Sequence, residues 1–428
     1  MPPPPTDEGR LAVLRHPDLR RYLSARLIAS LATQVQTVAV GWQVFSVSGD
    51  PIDLGLVALS QFLPFIVLIL PAGHVADRYD RRRVQLGTYL LLAVCAAALL
   101  GLALAGVRDT GPVFAVMVVF GIARAFNQPT AQALLPNLAP IGLFPRAVAL
   151  NSSLGQVATI VGPAIGGVLV FFGVAVAYAL SLLLLVSAVA LVANLRGGGR
   201  DATSTEPVSL ETLLSGVTFV RSRPIVLGSI SLDLFAVLFG GATALLPIYA
   251  GDILDVGPTG LGAMRAAPAI GAALLAGVLT VRPLRRHVGR WMFCGVVVFG
   301  IATVVFGVST SFAVSLAALV AMGAGDMISV YIRHLLVQLE TPDSIRGRVS
   351  AVNAVFIGAS NELGEFESGV TAAWWGVVPA VVVGGVATLA VAGAWARLFP
   401  VLRRLDGFPN VDGAHDRAED SGERREDR

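Results

Sequence analysis

The chain has 428 residues, of which 55% are hydrophobic and only 14% are charged. A water-soluble domain usually carries about 25% charged residues, so this composition excludes an ordinary soluble globular protein. The formal net charge of +3 does not point to nucleic acid as a partner, because the arginines follow a membrane topology. Cys95 and Cys294 lie alone in separate apolar runs, and we expect neither a disulfide nor a metal site.

Apolar runs that are long enough to cross a bilayer recur along nearly the whole chain. About 20 apolar residues suffice for one crossing, and each crossing must satisfy its own backbone hydrogen bonds, as a helix does. The sequence therefore predicts an all-α membrane protein with twelve transmembrane helices. The predicted spans are 20–46, 51–75, 84–107, 112–135, 146–171, 174–195, 224–250, 257–281, 289–309, 312–338, 347–372 and 375–400.

The connections between these spans are alternately rich and poor in arginine. Positively charged loops stay in the cytoplasm, and an even number of crossings puts both termini on one side. We therefore expect a multi-pass protein of the plasma membrane, the inner membrane of a bacterium, with both termini cytoplasmic. The arginine-rich connections hold Arg78, Arg81, Arg82 and Arg83; Arg146; Arg196, Arg200, Arg221 and Arg223; Arg282, Arg285, Arg286 and Arg290; and Arg346 and Arg348.

The longest connection divides the chain into two halves. It contains GGGRDATSTEP, a flexible linker, followed by SLETLLSGVTFVRSR, which predicts a short surface helix that begins at Ser209. The end of the chain is rich in Asp, Glu and Arg and is predicted to be disordered. The predicted domains are a cytoplasmic segment at 1–19, a six-helix bundle at 20–195, the linker at 196–223, a second six-helix bundle at 224–400 and the tail at 401–428.

The two halves repeat one another in sequence. Pro51 and Gly55 recur as Pro258 and Gly262, 207 residues later. Six helices per half give both halves the same orientation, so this is a parallel repeat about an axis along the membrane normal. Further matches in the same order pair Pro140, Arg146 and Asn151 with Pro342, Arg348 and Asn353, 202 residues later.

Three motifs carry a resemblance to a known family. GHVADRYDRRR, from Gly73 to Arg83, resembles the signature loop of the major facilitator superfamily. GPAIGG at 162–167 resembles the fifth-helix motif of its exporters, and RGRVSAVNAVFIGASNELGEFESG at 346–369 resembles its enterobactin-exporter or transmembrane secretion effector group. The resemblance covers essentially the whole chain and implies the major facilitator fold, two pseudo-symmetric six-helix bundles. The matching residues are Gly73, Asp77, Arg78, Arg81 and Arg82 in the loop, and Gly162, Pro163, Gly166 and Gly167 in the helix.

Charged residues inside the predicted spans are candidates for a central pathway. A charge at the bilayer centre costs at least about 2.5–3.5 kcal/mol and usually faces the bundle interior or a water-filled cavity. A carboxyl group in a low-dielectric site favours its protonated form, so the acidic members are candidate proton carriers. Some of them must be structural, and we rank them Asp233, Glu362, Asp326, Glu365. The cavity and proton-coupling candidates are Arg26, Arg124, Asp233, Asp326, Arg333, Glu362 and Glu365.

The repeat suggests how these charges are paired. Arg26 and Asp233 occupy equivalent positions in the two halves, as do Arg124 and Asp326. We hypothesise that each pair neutralises its charges across the cavity, directly or through the substrate. The structural alternative is that each residue has a nearer partner and only holds helices together.

The signature loop has a mechanical interpretation. Asp77 lies at the cytoplasmic end of the second helix, and the eleventh helix begins on the same side, with the positive end of its dipole. Asp77 is expected to dock there and close the cytoplasmic side, with Gly73 allowing the two helices to approach. Arg78, Arg81 and Arg82 are expected to pair with carboxylates or lipid phosphates. The alternative, a pure topology signal from arginine, leaves Asp77 unexplained.

Together these patterns predict secondary active transport by alternating access. The resemblance implies proton-coupled export of a small organic molecule, siderophore-like or drug-like, by a monomer without a cofactor, and Gly162, Pro163, Gly166 and Gly167 are expected to kink the fifth helix and pack it tightly. Uptake or lipid transfer is the alternative within transport. A receptor or enzyme is the alternative of another class, but the sequence has neither a large soluble domain nor a phosphate-binding loop, metal-spaced histidine cluster or nucleophilic triad.

Overall fold

In a computed structural model of the chain, residues 15–197, 217–342 and 345–408 are described. Their regular structure is entirely helical, with no strand within those ranges, which confirms the predicted fold class. The long helices are α1 (Pro17–Ser48), α2 (Pro51–Arg78), α3 (Arg81–Leu104), α4 (Gly111–Leu138), α5 (Phe144–Phe171), α6 (Val174–Ala193), α7 (Pro224–Phe239), α8 (Gly257–Val281), α9 (Val288–Val308), α10 (Phe312–Glu340), α11 (Arg346–Trp375) and α12 (Val377–Leu398), and a short α13 (Pro400–Arg403) follows.

Hydropathy alone recognises most of these helices as membrane spans. Ten helices of the described chain are long and apolar enough to cross a bilayer. α1 and α11 have 32 and 30 residues, which is also long enough, but they carry more polar and charged side chains. Spans that line a polar interior lose hydropathy in this way, so the predicted twelve crossings are consistent with the structure.

The seventh span is interrupted in its middle. After α7 the chain passes Gly240 and Gly241, forms a 3-10 turn and one turn of α-helix, and ends in a π-helical turn at Tyr249–Ile253. A Cβ atom on Gly241 would lie only 2.4 Å from the backbone oxygen of Gly364, so a side chain at this position would force the two helices apart. Close approach between α7 and α11 therefore requires glycine at the interruption.

The described residues form two compact units. The first comprises 15–197 together with Ala244–Ala266, and the second comprises 217–243 together with the chain from Ala267 to 408. The C-terminal part of the seventh span packs on α1, where Phe45 contacts Gly251 and Pro247 lies against Gly41. These contacts, rather than chain order, explain why Ala244–Ala266 belongs to the first unit; the sequence-predicted bundle boundaries stay a prediction.

Helix packing inside each unit reflects the internal repeat. In the first unit α1 packs along α5 and α6, and α3 packs along α4 and α6. In the second unit α7 packs along α11 and α12, and α9 packs along α10 and α12. The same four pairings thus recur with an offset of six helices, as expected of two parallel copies of one sequence module.

The last described segment differs from its prediction. The sequence predicts disorder from residue 401, but Leu402 and Phe408 are 0% and 9% exposed and belong to the apolar core of the second unit. Charged residues dominate the composition of the tail, but it also contains Leu402 and Phe408. Burial of these two apolar side chains fixes the segment in place through Phe408. The predicted surface helix is described only at 217–222, which are helical; its start at Ser209 lies outside the described residues.

A carboxylate begins α3 at the signature loop. Asp80 accepts hydrogen bonds from the backbone N–H groups of Arg82 and Arg83 at 2.9 and 3.2 Å, as an N-cap residue does. We expect Asp80→Ala to lower the free energy of unfolding by about 0.5–2 kcal/mol, measured by thermal unfolding of the purified protein. Asp80→Asn keeps a capping oxygen and should stay near the wild-type value; an equal loss in both variants would assign the effect to charge.

Candidate functional site

A buried ion pair joins α7 and α10 in the second unit. The guanidinium of Arg333 donates a hydrogen bond to the Asp233 carboxylate, and the two residues are 2% and 4% exposed. Asp233 lies two and a half turns into α7, whereas Asp326, Ser329 and Arg333 share one face of α10 at helical spacing. The packing of α10 against α7 therefore brings the charged face of one helix to the acid of the other.

A second carboxylate, that of Asp326, lines a cavity next to this ion pair. Asp233, Asp326 and Ser329 line one small cavity of about 10 Å³, together with Ala236, Val237, Val296 and Phe299. That volume is close to the space that one water molecule needs, so the cavity is too small for an organic substrate. Asp326 is only partly buried. The arrangement can hold a proton and a water molecule between an accessible acid and a buried one.

The charges of this cluster do not balance when both acids are ionised. Two carboxylates, Asp233 and Asp326, stand against one guanidinium, that of Arg333. A buried charge without a counter-charge is costly, and protonation of one of the two carboxylates would remove the excess. The three residues are hereafter called the acid–arginine cluster.

The two glutamates of α11 lie elsewhere in the second unit. Glu365 accepts a hydrogen bond from the Thr243 hydroxyl at 3.3 Å, and Glu362 lies three residues earlier, also partly buried. Neither residue lines the cavity of the acid–arginine cluster. The structure therefore brings together three of the seven predicted candidates and sets these two apart.

The two predicted arginines of the first unit each contact a polar side chain. Arg26 donates to the Tyr22 hydroxyl at 3.4 Å, and this hydroxyl donates to the backbone oxygen of Ala131 at 2.6 Å. Arg124 on α4 donates to Gln61 on α2 at 3.3 Å. Its guanidinium also lies 5.8 Å from the centre of the Phe65 ring, which is within the range of a cation–π contact.

The signature-loop arginines make their described hydrogen bonds to backbone carbonyl groups, and their predicted pairing with carboxylates or lipid phosphates stays a prediction. Arg81 donates to the backbone oxygens of Ala76 and Ala133 at 3.3 and 3.4 Å, and Arg82 donates to the oxygen of Ala193. Ala193 is the last residue of α6, where carbonyl groups lack helical partners, and Ala133 lies in the last two turns of α4; the carboxyl end of a helix carries partial negative charge. Arg78 is exposed in the last turn of α2. Gly73 and Asp77 lie in the same helix end, and the Asp77 side chain is outside the described part of the structure.

These observations agree with a comparison against known families. The family model described as "Transmembrane secretion effector" matches residues 8–410, which is nearly the whole chain. The chain belongs to the transmembrane secretion effector family. Its members are transporters of the major facilitator superfamily, so the protein is a multi-pass membrane transporter of a small molecule and not an enzyme.

Relatives of this transmembrane secretion effector include named efflux proteins. The multidrug efflux pump Tap of Mycolicibacterium fortuitum is 29% identical over 358 residues, 80% of this chain and 86% of the relative. The enterobactin exporter EntS of Escherichia coli is 25% identical over 351 residues, 79% of this chain and 81% of the relative.

Solved structures show the same fold. A bacterial homologue of the human lysosomal transporter Spinster, inward-facing and unoccupied, matches with a TM-score of 0.71 at 13% identity, covering 91% of this chain and 97% of that one. A POT family transporter bound to a thioalcohol-conjugated peptide matches with a TM-score of 0.72 at 12% identity, covering 90% and 96%. The twelve-helix architecture of the transmembrane secretion effector is therefore the major facilitator fold.

The exporter-like glycines of this transmembrane secretion effector lie at helix contacts of the first unit. A Cβ atom on Gly162 would lie 2.5 Å from the Gln34 Cβ of α1, and one on Gly166 would lie 3.1 Å from the Val38 Cβ. A Cβ atom on Gly167 would lie 2.5 Å from the Pro258 oxygen and 2.8 Å from the Gly262 Cα. With Pro163, these glycines let α5 pack closely on α1 and on the first turns of α8.

Sequence reasoning did not single out several polar residues that support the candidates. Tyr22 connects Arg26 to α4, and Gln61 holds Arg124. The buried Gln85 on α3 donates to Asn127 on α4 at 2.7 Å. Their only signal in the sequence is a polar group inside an apolar run, which does not by itself distinguish a functional residue from one that joins helices.

Proposed function

We propose that the protein is a proton-coupled exporter of a small organic molecule that works by alternating access. In this proposal it is a monomer in the bacterial inner membrane, with both termini in the cytoplasm. The observation that supports the proton coupling is the acid–arginine cluster, in which Arg333 binds Asp233 and a water-sized cavity joins Asp233 to Asp326. The arginine-rich loops support the orientation.

The geometry suggests an order of proton movements. Asp326 is the more accessible acid and takes a proton first, because Asp233 is almost completely buried. Transfer through the water-sized cavity to Asp233 then neutralises the carboxylate that Arg333 binds. Loss of that charge weakens the link between α7 and α10. In this way, proton binding changes the attachment of one helix to another, which is what coupling to a conformational change requires.

The proposed cargo is a drug-like or siderophore-like molecule. Relatives named for multidrug, enterobactin and macrolide export support this class. Arg26 and Arg124 supply positive charge in the first unit. The Tyr22 hydroxyl and the Gln61 amide, which bind these arginines, add neutral polar groups. We propose that the arginines meet acidic groups of the cargo, or Asp233 and Asp326, during the cycle.

Efflux of fluorescent dyes and antibiotics from a host that lacks its own exporters tests the proposal. Inverted vesicles that contain the protein should accumulate the cargo when respiration makes their interior acidic, and an uncoupler should stop this accumulation. Accumulation that survives the uncoupler would contradict proton coupling. Accumulation only in right-side-out vesicles would instead indicate uptake, the alternative direction.

The charge pairing across the repeat has its own test. If Arg26 and Asp233 neutralise each other during the cycle, Arg26→Asp and Asp233→Arg should each stop transport, and the double exchange should restore part of it. Because Asp233 is already bound by Arg333, failure of the exchange together with active single variants would favour the structural alternative. Initial rates of accumulation in inverted vesicles measure the outcome.

We also propose that Asp77 is the cytoplasmic latch. Asp77→Asn should lower the transport rate because it weakens an interaction with the positive end of a helix, normally about 0.3–1 kcal/mol at an exposed site. The amount of protein in the membrane should stay unchanged. Asp53→Asn, at the other end of the same helix, is the matched control; wild-type rates in Asp77→Asn would refute the latch.

A further inference from the structure

We propose that a basic cavity at the cytoplasmic end of the second unit binds the phosphate group of an anionic phospholipid. The cavity lies between the start of α9 and the segment that follows α12, far along the chain from the acid–arginine cluster. It has a volume of about 450 Å³ and is lined by His287, Arg290, Arg403, Arg404, Leu405 and Asp406.

The cavity is a built feature, because the segment after α12 is fixed in place. The backbone N–H groups of Val288 and Gly289 donate to the carbonyl oxygens of Asp406 and Leu405 at 3.3 and 2.9 Å. Leu402 is fully buried beside them. A side chain on Gly289 would collide with the backbone of Leu402, so only glycine permits this approach.

The docked segment concentrates positive charge around the cavity. It carries Arg403 and Arg404 to the start of α9, where Arg290 lies. Asp406 is the acid of the lining, and its carboxylate is held by His287, with Nδ1 and Oδ1 2.6 Å apart. Within the described residues none of the three arginines forms an ion pair, and the cavity keeps an excess of guanidinium groups.

The chemistry of the lining favours a phosphate group. Guanidinium groups bind phosphate oxygens through parallel N–H donors, and the volume lies in the range of about 300–1,000 Å³ that is usual for small-ligand sites. The exposed Trp291 follows Arg290 in the first turn of α9 and is 45% exposed, as expected of an aromatic residue at the membrane–water interface. A ligand at this level is a lipid headgroup rather than a transported molecule.

The experiment measures lipid retained by the purified full-length protein. The protein is incubated in detergent with phosphatidylcholine and phosphatidylglycerol in equal amounts, separated from free lipid, and analysed for each lipid by mass spectrometry. We expect the wild-type protein to retain phosphatidylglycerol preferentially. Loss of two arginines in Arg403→Gln/Arg404→Gln should weaken this retention by about 30-fold.

Matched variants distinguish a specific lipid site from general electrostatic attraction between a basic protein and an anionic lipid. Arg285→Gln/Arg286→Gln removes the same charge from the exposed loop before α9, outside the cavity, and should retain lipid like the wild type. Equal losses in both double variants would overturn the proposal. Arg290→Gln changes the opposite wall of the cavity and should also lose the preference for phosphatidylglycerol. The result therefore does not depend on the docked segment alone. Thermal unfolding checks that each variant is folded.

A final arm distinguishes lipid phosphate from free phosphate. Lipid-free protein is exposed to labelled inorganic phosphate at millimolar concentration. Weak or absent binding of inorganic phosphate, with retention of phosphatidylglycerol, supports the headgroup assignment. Inorganic phosphate that binds and displaces all phosphatidylglycerol would overturn it in favour of a site for soluble anions.

Discussion

Asp233→Asn is expected to stop gradient-driven transport and to destabilise the second unit. The Asp233–Arg333 pair is buried on both sides, so removal of the carboxylate charge leaves a guanidinium without compensation. Breaking a buried ion pair in this way costs about 3–5 kcal/mol. Thermal unfolding of the purified protein measures the cost, and dye accumulation in inverted vesicles, with and without an uncoupler, measures the transport.

Two further variants separate stability from proton coupling. Asp233→Asn/Arg333→Gln removes both charges and should regain most of the stability, because replacing a whole buried pair is often nearly neutral, but it should not regain coupling. Asp326→Asn leaves the Asp233–Arg333 ion pair intact, so the variant should fold like the wild type. Its dye accumulation, however, should no longer depend on the proton gradient and should not change when the uncoupler is added. Uncoupler-sensitive transport in both variants would place proton coupling elsewhere in the chain.

Gly167→Ala is expected to disturb the packing of α5 on α8 and to lower both stability and transport. The added methyl group would lie 2.5 Å from the oxygen of Pro258 and 2.8 Å from the Cα atom of Gly262. Both are backbone atoms, so rotation of a side chain cannot relieve the contact. Overpacking of this kind costs about 1–3 kcal/mol, which thermal unfolding of the purified protein will show.

The same helix offers a matched control for this variant. A Cβ atom on Gly155 would meet no described atom within 4 Å, so Gly155→Ala adds the same methyl group to α5 without a collision. It should keep the wild-type unfolding temperature and transport rate. Helix propensity alone would favour alanine over glycine by about 1 kcal/mol, so an equal loss of stability in both variants would show that the close contact of α5 with α8 is not its cause.

The helices themselves could be predicted because a bilayer imposes simple rules. Every crossing needs a long apolar run with internal hydrogen bonds, and such runs are visible in sequence for α2, α6 and α9. α1 and α11 were predicted at 20–46 and 347–372 by the same rule, although their polar residues lower the hydropathy enough that composition and length alone do not single them out.

The ordered segment after α12 could not be predicted from composition. Charged residues dominate the tail, and composition averages over Leu402 and Phe408. Whether two apolar residues are buried depends on an apolar surface at the right distance, and α9 and α12 of the second unit provide it. Gly289 was equally uninformative in sequence, because its role appears only when the backbone of Leu402 lies against it.

The sequence by itself determined that this protein is a membrane transporter of the major facilitator fold, because hydropathy, the repeat and the signature loop are local patterns. It also identified Asp233, Asp326 and Arg333 as charges that need a reason to be in the membrane. Only the tertiary structure decided that these three meet, since the partner of a buried charge is chosen by helix packing. A repeat relates equivalent positions, whereas an ion pair forms between whichever side chains the packed helices bring within reach.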